Sequence, residues 1–329
     1  MSPELLQTIE GAYGLPPIIK TQDVATGVLS SNWILHTSDT RYFLKRYRYP
    51  ERARIESVHA VKAHFSTAGI PIIMPFATRD GQTCYTFGDH HFALFPYIVG
   101  TESTRGALSD TSIISIAEML AHLHQAGRDV RLTCEIPTFN AWSKERFVSK
   151  AEPLLTHLRA IEAPTPFDIL ALQDLNEKYI FVESNSIAFE GLNLPSDHLL
   201  HGDFLDHNLF FDNTGLVSHV FDLEKATYGP RVYELLRTIF LCIFDGEITS
   251  QNAHQAKLFM DTYRALYPIS NDEIERGIIT FLTKTMHNTW IQNEHYILNN
   301  YRADMYLETE RTRNTILTEH RSTLEHILL

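Results

Sequence analysis

The chain has 329 residues, of which 44% are apolar and 21% charged, and its 28 basic side chains face 40 acidic ones for a net charge of −12. These ordinary values exclude a disordered or fibrous chain, and the acidic balance argues against a nucleic-acid partner, which needs a basic surface. The three scattered cysteines (Cys84, Cys134 and Cys242) fit neither a disulfide framework nor a paired metal site, which predicts a reducing, cytoplasmic setting.

The amino-terminal part of the chain predicts a small β-rich lobe with two helices. Residues 2–11 have the pattern of a short amphipathic helix. Runs rich in β-branched and aromatic residues predict antiparallel strands within 18–49 and again at 83–87 and 91–97. Between them, apolar residues at steps of three and four predict a helix over 51–68 that ends before a glycine.

Beyond residue 100 the pattern becomes helical, with helices predicted at 112–125, 142–160, 167–182 and from 271 onward. Its most apolar run has only about ten residues, well short of the roughly 20 that a spanning helix needs, so we expect no membrane span. The amino terminus also has no apolar signal region, so we expect no secretory signal. One stretch, 198–230, interrupts the helices with two short strands around an Asn-Thr-Gly turn.

This hairpin carries the chemistry. Its first limb reads HGDFLDHN, with Asp203 before a strand and Asn208 at its start, and its second limb ends at Asp222. A tight hairpin brings these three oxygen-bearing side chains to one small volume, and oxygen ligands suit magnesium. A carboxylate beside that ion can orient a hydroxyl and accept its proton late in phosphoryl transfer.

The spacing HGDxxxxN followed by a strand-borne aspartate resembles the aminoglycoside phosphotransferase/choline kinase-like family of small-molecule kinases, which includes homoserine kinase-like proteins. The resemblance implies that Asp203 is the catalytic base. Asn208 would act with it in the catalytic loop and would bind magnesium together with Asp222. His201 would support the loop.

The same resemblance assigns nucleotide-binding residues in the amino-terminal lobe. Lys45 would hold the α- and β-phosphates of ATP, paired with Glu56 of the following helix or alternatively with Glu51. The turn at 27–32, here through Ser30, Ser31 and Asn32, would cover the phosphates. The segment ALFPYIVG (93–100) resembles the hinge, where backbone groups around Tyr97 and Ile98 would bind adenine.

The resemblance implies an α/β (α+β) two-lobed protein-kinase-like fold, with a small antiparallel β-sheet lobe and a larger helical lobe. We expect residues 1–96 to form the nucleotide-binding lobe and 97–329 the mainly helical lobe, which carries the catalytic and metal loops at 198–230.

The chain contains neither the glycine-rich loop of protein kinases nor a P-loop. The predicted activity is ATP- and magnesium-dependent transfer of the γ-phosphoryl group to a hydroxyl of a small molecule. An aminoglycoside, choline, homoserine and a sugar all remain open as acceptors, as does GTP in place of ATP, and the sequence predicts no oligomeric state. A protein Ser/Thr kinase of the same fold and a nucleotide-binding pseudokinase are the alternatives.

Overall fold

The computed structural model describes residues 1–24, 31–100, 108–185, 187–244 and 247–329. The chain divides into two compact units. Unit 1 contains residues 1–103, 122–137 and 199–227, and unit 2 contains 104–121, 138–198 and 228–329.

Unit 1 is built on a five-stranded antiparallel sheet with the strand order β1-β2-β3-β5-β4. Its strands are β1 (Lys20–Val24), β2 (Ser31–His36), β3 (Arg41–Arg46), β4 (Tyr85–Phe87) and β5 (His90–Pro96). Helix α1 (Pro3–Tyr13) begins after Ser2, whose hydroxyl accepts from the Leu5 N–H, and packs Leu5 and Ile9 onto the sheet. The predicted strands and amino-terminal helix are therefore all present.

Helix α2 (Arg52–Thr67) buries the apolar positions from which it was predicted, including Ile55, Val61 and Phe65. Ile55 belongs to a core cluster with residues that follow the helix and with β5. The same buried side of α2 also carries His59 and Lys62, each only 4% exposed. A helix that buries two such side chains is placing polar groups inside unit 1.

The interrupting segment forms the predicted hairpin, β7 (Leu209–Phe211) and β8 (Val217–Val220), between the short strands β6 (His198–Leu200) and β9 (Thr227–Gly229), which pair with each other. Two backbone hydrogen bonds join β8 to the segment after α2: Ile73 N–H to the Val220 carbonyl at 3.0 Å, and Val220 N–H to the Pro71 carbonyl at 2.9 Å. Residues 199–227, which contain the predicted catalytic and metal loops, consequently belong to unit 1. The predicted boundary at residue 96/97 differs from the observed division into two units. The prediction followed chain order, whereas these backbone hydrogen bonds join segments that are distant in the sequence.

Unit 2 is helical, and α3 (Asp110–Gly127) crosses the division between the units. The other helices are α4 (Lys144–Arg159), α5 (Pro166–Ser184), α6 (Arg231–Cys242), α7 (Ser250–Leu266), α8 (Asn271–Met286), α9 (Trp290–Tyr296), α10 (Leu307–Glu319) and α11 (Arg321–Leu328). Helices α6 and α8 approach closely at Gly277, where a Cβ would lie 2.4 Å from a methyl carbon of Val232. Among the described residues, no helix has both the length and the apolarity to cross a membrane.

Candidate active site

The loop that carries Asp203 is anchored by His201. This imidazole is fully buried; its Nδ1 accepts from the Asp203 N–H at 3.2 Å and its Nε2 donates to the Phe221 carbonyl at 2.8 Å. Both ring nitrogens are therefore used, which fixes the ring with its proton on Nε2. One side chain ties the catalytic loop to the residue before Asp222, which is the supporting position that the resemblance implies for His201.

Gly202 lets the loop approach the residues after Asp222. Its φ of +84° lies in the left-handed region, and a Cβ at this position would be 1.8 Å from the backbone oxygen of Lys225. Only glycine fits both conditions. The glycine of the sequence His-Gly-Asp is thus required by the packing of two backbone segments.

Asn208 lies beside Asp203. Its side-chain Nδ2 donates to the Asp203 backbone carbonyl at 2.8 Å and is 3.5 Å from Asp203 Oδ2. The backbone carbonyl of Asn208 accepts from the Phe221 N–H at 3.1 Å. Because the amide nitrogen is directed at Asp203, the amide oxygen is the atom that Asn208 offers to a cation.

Asp222 follows β8 in the left-handed conformation, with φ 59° and ψ 58°. A non-glycine residue seldom adopts this conformation, and such residues cluster at functional sites. Its side chain is 40% exposed, and its Oδ1 lies 3.0 Å from Lys45 Nζ. Burial acts to raise the pKa of Asp222, but the positive charge and the hydrogen bond of Lys45, with the charge of Lys62, outweigh it and lower the pKa below its usual value.

Lys45 of β3 is held by two carboxylates of unit 1, those of Asp222 and Glu224, and the contact with Glu224 is the closer one. Burial acts to lower the pKa of Lys45, but these two negative charges raise it above its usual value, so the ammonium is charged. Glu224 was not assigned this role from the sequence. The signal that could have found it is a second acid two residues after the aspartate.

The structure does not contain the expected ion pair between Lys45 and Glu56. The Glu56 carboxylate is half exposed and pairs with Arg52, one helical turn earlier, at 2.7 Å. It lies beside the buried stripe of α2 instead of on it. Glu51, the alternative, precedes the first turn of α2, and its side chain makes no capping hydrogen bond.

Two buried basic residues of α2, the neutral His59 and the charged Lys62, face the site in place of a glutamate. His59 Nε2 lies 2.8 Å from the Tyr47 hydroxyl and Nδ1 lies 2.8 Å from Thr83 Oγ1. Burial, helped by the charges of Lys62 and Lys45, lowers the pKa of His59 to about 3, which keeps it neutral. Lys62 Nζ donates to the Ile73 carbonyl at 3.3 Å, and burial followed by repulsion from Lys45 lowers its pKa to about 8.

The sequence analysis did not identify Lys62. It lies seven residues after Ile55 and three before Phe65, so it occupies the apolar stripe of α2. A lysine in such a stripe was the available signal.

Of the two described residues predicted to cover the phosphates, Asn32 lies beside Lys45 and Ser31 contacts another residue. Asn32 is its direct cross-strand partner in the β2–β3 ladder, whereas the Ser31 hydroxyl accepts from Arg46 at 2.8 Å. Ser30, with residues 27–29 of the predicted turn, lies outside the described residues.

The predicted hinge residues follow β5 directly. The Arg41 guanidinium lies 4.0 Å from the centre of the Tyr97 ring, and Ile98 packs against the core cluster of Ile55.

The oxygen donors of the site fit a magnesium ion that is shared with a bound nucleotide. Over the described ranges, no three His, Cys, Asp or Glu side chains converge to hold a metal unaided. Asn208 and Asp222 offer one amide and one carboxylate oxygen. Magnesium commonly takes one or two carboxylates and completes its shell with water and phosphate oxygens, so this sparse donor set suits it better than a metal that needs a protein cage.

A sequence model described as "Phosphotransferase enzyme family" matches residues 20–269. The homoserine kinase of Neisseria meningitidis serogroup B is 25% identical over 264 residues, which cover 79% of this chain and 78% of that protein.

Two solved structures have a similar fold at 14% identity. A spectinomycin phosphotransferase in complex with ADP and spectinomycin has a TM-score of 0.70, with 99% of each chain covered. A microcompartment-associated aminopropanol kinase has a TM-score of 0.65, with 98% of each chain covered. These similarities confirm the predicted α/β protein-kinase-like fold, with its antiparallel sheet and helical lobe.

Proposed function

Because the chain belongs to the phosphotransferase enzyme family, we propose that it is an ATP- and magnesium-dependent kinase that phosphorylates a hydroxyl of a small molecule. The predicted class, a small-molecule phosphotransferase, is the class to which its relatives belong. The observation that carries the proposal is the linkage of Asp203, Asn208, Asp222 and Lys45 within unit 1 through His201 and through direct side-chain contacts.

Asp203 is the group that would orient the acceptor hydroxyl. Its side chain is only 12% exposed, and His201 and Asn208 hold its backbone on both sides. A carboxylate fixed in this way can take the hydroxyl proton as the new phosphorus–oxygen bond forms. Catalysis would come mainly from holding the hydroxyl and the phosphoryl group in register.

Lys45 would hold the nucleotide phosphates. In the structure its ammonium is shared by Asp222 and Glu224, so it is already charged and positioned before a nucleotide arrives. Asn208 and Asp222 would hold magnesium, which neutralises phosphate charge when bound. The proposal also assigns residues 1–96 as the nucleotide-binding part of the chain. Within it, the phosphates would be covered by Ser30, Ser31 and Asn32. The adenine would be bound at the hinge by the backbone of Tyr97 and Ile98.

Homoserine is the acceptor that we propose to test first, because a homoserine kinase is among the relatives and aligns over most of both chains. An amino alcohol such as aminopropanol and an aminocyclitol such as spectinomycin follow from the names of the structural neighbours. A cytoplasmic location is part of the same proposal and is supported by the three free cysteines.

The test is phosphoryl transfer from ATP with magnesium to these acceptors, followed by phosphorus NMR so that the phosphorylated product is seen directly. We expect one small hydroxyl compound to be phosphorylated, and Asp203→Asn to lower kcat by roughly 10²-fold or more while the affinity for ATP changes little. Casein is included as an acceptor. Transfer to casein alone would favour a protein kinase, and ATP binding without any turnover would favour a pseudokinase.

A further inference from the structure

The ammonium of Lys225, three residues after Asp222, contacts the carboxylate of the proposed base Asp203. Its Nζ lies 2.9 Å from Asp203 Oδ2, although the two residues belong to different loops. The Lys225 side chain is 53% exposed, whereas that of Asp203 is 12% exposed. A long, half-exposed side chain thus has its charged end at the buried carboxylate that the mechanism needs.

The backbone fixes this contact. The backbone oxygen of Lys225 occupies the space that a Cβ on Gly202 would need, at a distance of 1.8 Å. The residue next to Asp203 is therefore in van der Waals contact with Lys225, and the origin of the lysine side chain is set by packing. Its four-carbon stem still leaves the ammonium free to move over a few ångströms.

The negative charges around Asp203 require a nearby positive charge when a phosphoryl group binds. Four carboxylates lie along the two loops (Asp203, Asp206, Asp222 and Glu224), and Lys45 is already shared by the last two. Lys225 is a cation in direct contact with the proposed base. A phosphoryl group arriving at a hydroxyl on Asp203 would be repelled by that carboxylate unless a positive charge lay beside both.

We propose that Lys225 is a catalytic residue that binds the non-bridging oxygens of the phosphoryl group during its transfer. The inference rests on the proposed function. An acceptor oxygen on Asp203 would lie about 3 Å from the carboxylate, and the phosphorus about 3–3.5 Å from that oxygen. The ammonium, 2.9 Å from the same carboxylate, reaches the phosphoryl oxygens by rotation about its own stem.

In the reaction, the acceptor oxygen forms a bond to the γ-phosphorus, and the bond from that phosphorus to the bridging oxygen of ADP breaks. ADP leaves with the electron pair of the broken bond, and the hydroxyl proton passes to Asp203. Lys225 keeps its proton throughout. It exchanges the carboxylate for the phosphoryl oxygens as partner, which frees Asp203 to accept the proton.

The experiment compares Lys225→Met with Lys225→Arg, which keeps the charge, and with Lys20→Met, which removes an exposed lysine of β1 in the same unit. With ATP, magnesium and the acceptor found above, we expect Lys225→Met to lower kcat by roughly 10²-fold with less than about a threefold change in the KM for ATP. Lys225→Arg should keep most of the activity, and Lys20→Met all of it.

A second measurement needs no acceptor. Aluminium fluoride bound with ADP and magnesium imitates the phosphoryl group in the transition state of its transfer. Its binding should raise Tm beyond the value with ADP and magnesium alone. Lys225→Met should lose this fluoride-dependent increment and keep the shift due to ADP. A lysine that only supported the fold would lower both equally.

The outcomes separate the two proposals. If the wild-type protein transfers the phosphoryl group, an unchanged kcat in Lys225→Met overturns the role of Lys225 alone. An increase in Tm with fluoride that is as large in Lys225→Met as in the wild type does the same. A wild-type protein that shows neither transfer nor a fluoride increment overturns the proposed function, and the role of Lys225 with it.

Discussion

Replacing the buried Lys62 by methionine should make the protein more stable at neutral pH, although it removes a hydrogen bond. Lys62 is 4% exposed, and its ammonium has one hydrogen bond, to the Ile73 carbonyl at 3.3 Å. Burial, and then repulsion by Lys45, lower its pKa from 10.5 to about 8. Other charges that face it are the carboxylates of Asp222 and Glu224, which act in the opposite direction but do not restore the pKa.

The pKa difference of about 2.5 units corresponds to about 3 kcal/mol, by which the charged lysine destabilises the folded state at pH 7. Between about pH 8 and 10.5 the unfolded chain keeps this proton while the folded chain loses it, so stability rises with pH in that window. Methionine has a similar length and no charge. Since the unpaired Ile73 carbonyl costs about 1 kcal/mol, we expect Lys62→Met to gain about 2 kcal/mol at pH 7 and to be neutral or slightly destabilised at pH 9.5.

Urea unfolding of the nucleotide-free protein at several pH values between 7 and 9.5 measures this change of sign. Lys284→Met is the matched control, because Lys284 in unit 2 also has its pKa lowered to about 8, chiefly by burial. Its variant should flatten the same part of the pH profile independently of Lys62. If Lys62→Met were destabilising by the same amount at both ends of the range, the burial argument for Lys62 would be refuted.

Two further predictions concern unit 1. Gly202→Ala should lower the free energy of unfolding by several kcal/mol, because its Cβ would lie 1.8 Å from the Lys225 backbone oxygen, whereas Gly81→Ala, with a similar φ of +79° and open space around it, should cost about 1 kcal/mol. Equal Tm values for the two variants would contradict the close approach at Gly202. For His59, whose pKa is lowered from 6.5 to about 3, the unfolded chain takes up a proton below pH 6.5 that the folded chain refuses, so stability should fall by about 3 kcal/mol on going to pH 4.5. His59→Asn should reduce this acid sensitivity in a Tm-against-pH series, and an unchanged slope would show that His59 is not its source.

Local sequence patterns were sufficient to predict most elements of this fold. The helix at 51–68 and the hairpin around the Asn-Thr-Gly turn depend on periodicity and turn chemistry within a few residues, and both lie where they were expected. The contacts of Asn208 with Asp203 and with Phe221, the residue before Asp222, likewise lie within this short segment. Features of this kind can be seen in the sequence because each is decided over a short stretch of chain.

The partner of Lys45 could not be predicted in this way. Lys45 and Asp222 are 177 residues apart in the sequence, and the choice between Glu56 and Glu224 depends on how α2 is rotated against the sheet. That rotation follows from the packing of Ile55 and its neighbours, which leaves Glu56 beside the buried stripe and Lys62 within it. The spacing of acidic residues alone carries no information about this choice.

Asp222 connects these observations. Its left-handed backbone turns the chain sharply after β8, so that the consecutive residues Glu224 and Lys225 contact different partners, Lys45 and Asp203. In an extended strand, consecutive side chains point to opposite faces of a sheet, and no continuation of β8 would set these two contacts side by side. The left-handed backbone of Asp222 costs of order 1 kcal/mol and permits an arrangement in which Lys45 and Asp203 are each paired with an oppositely charged side chain. A substitution that shifts the backbone at Asp222 should consequently affect nucleotide binding and phosphoryl transfer together, whereas Asp203→Asn and Lys225→Met, which change only the end of one side chain, should affect transfer alone.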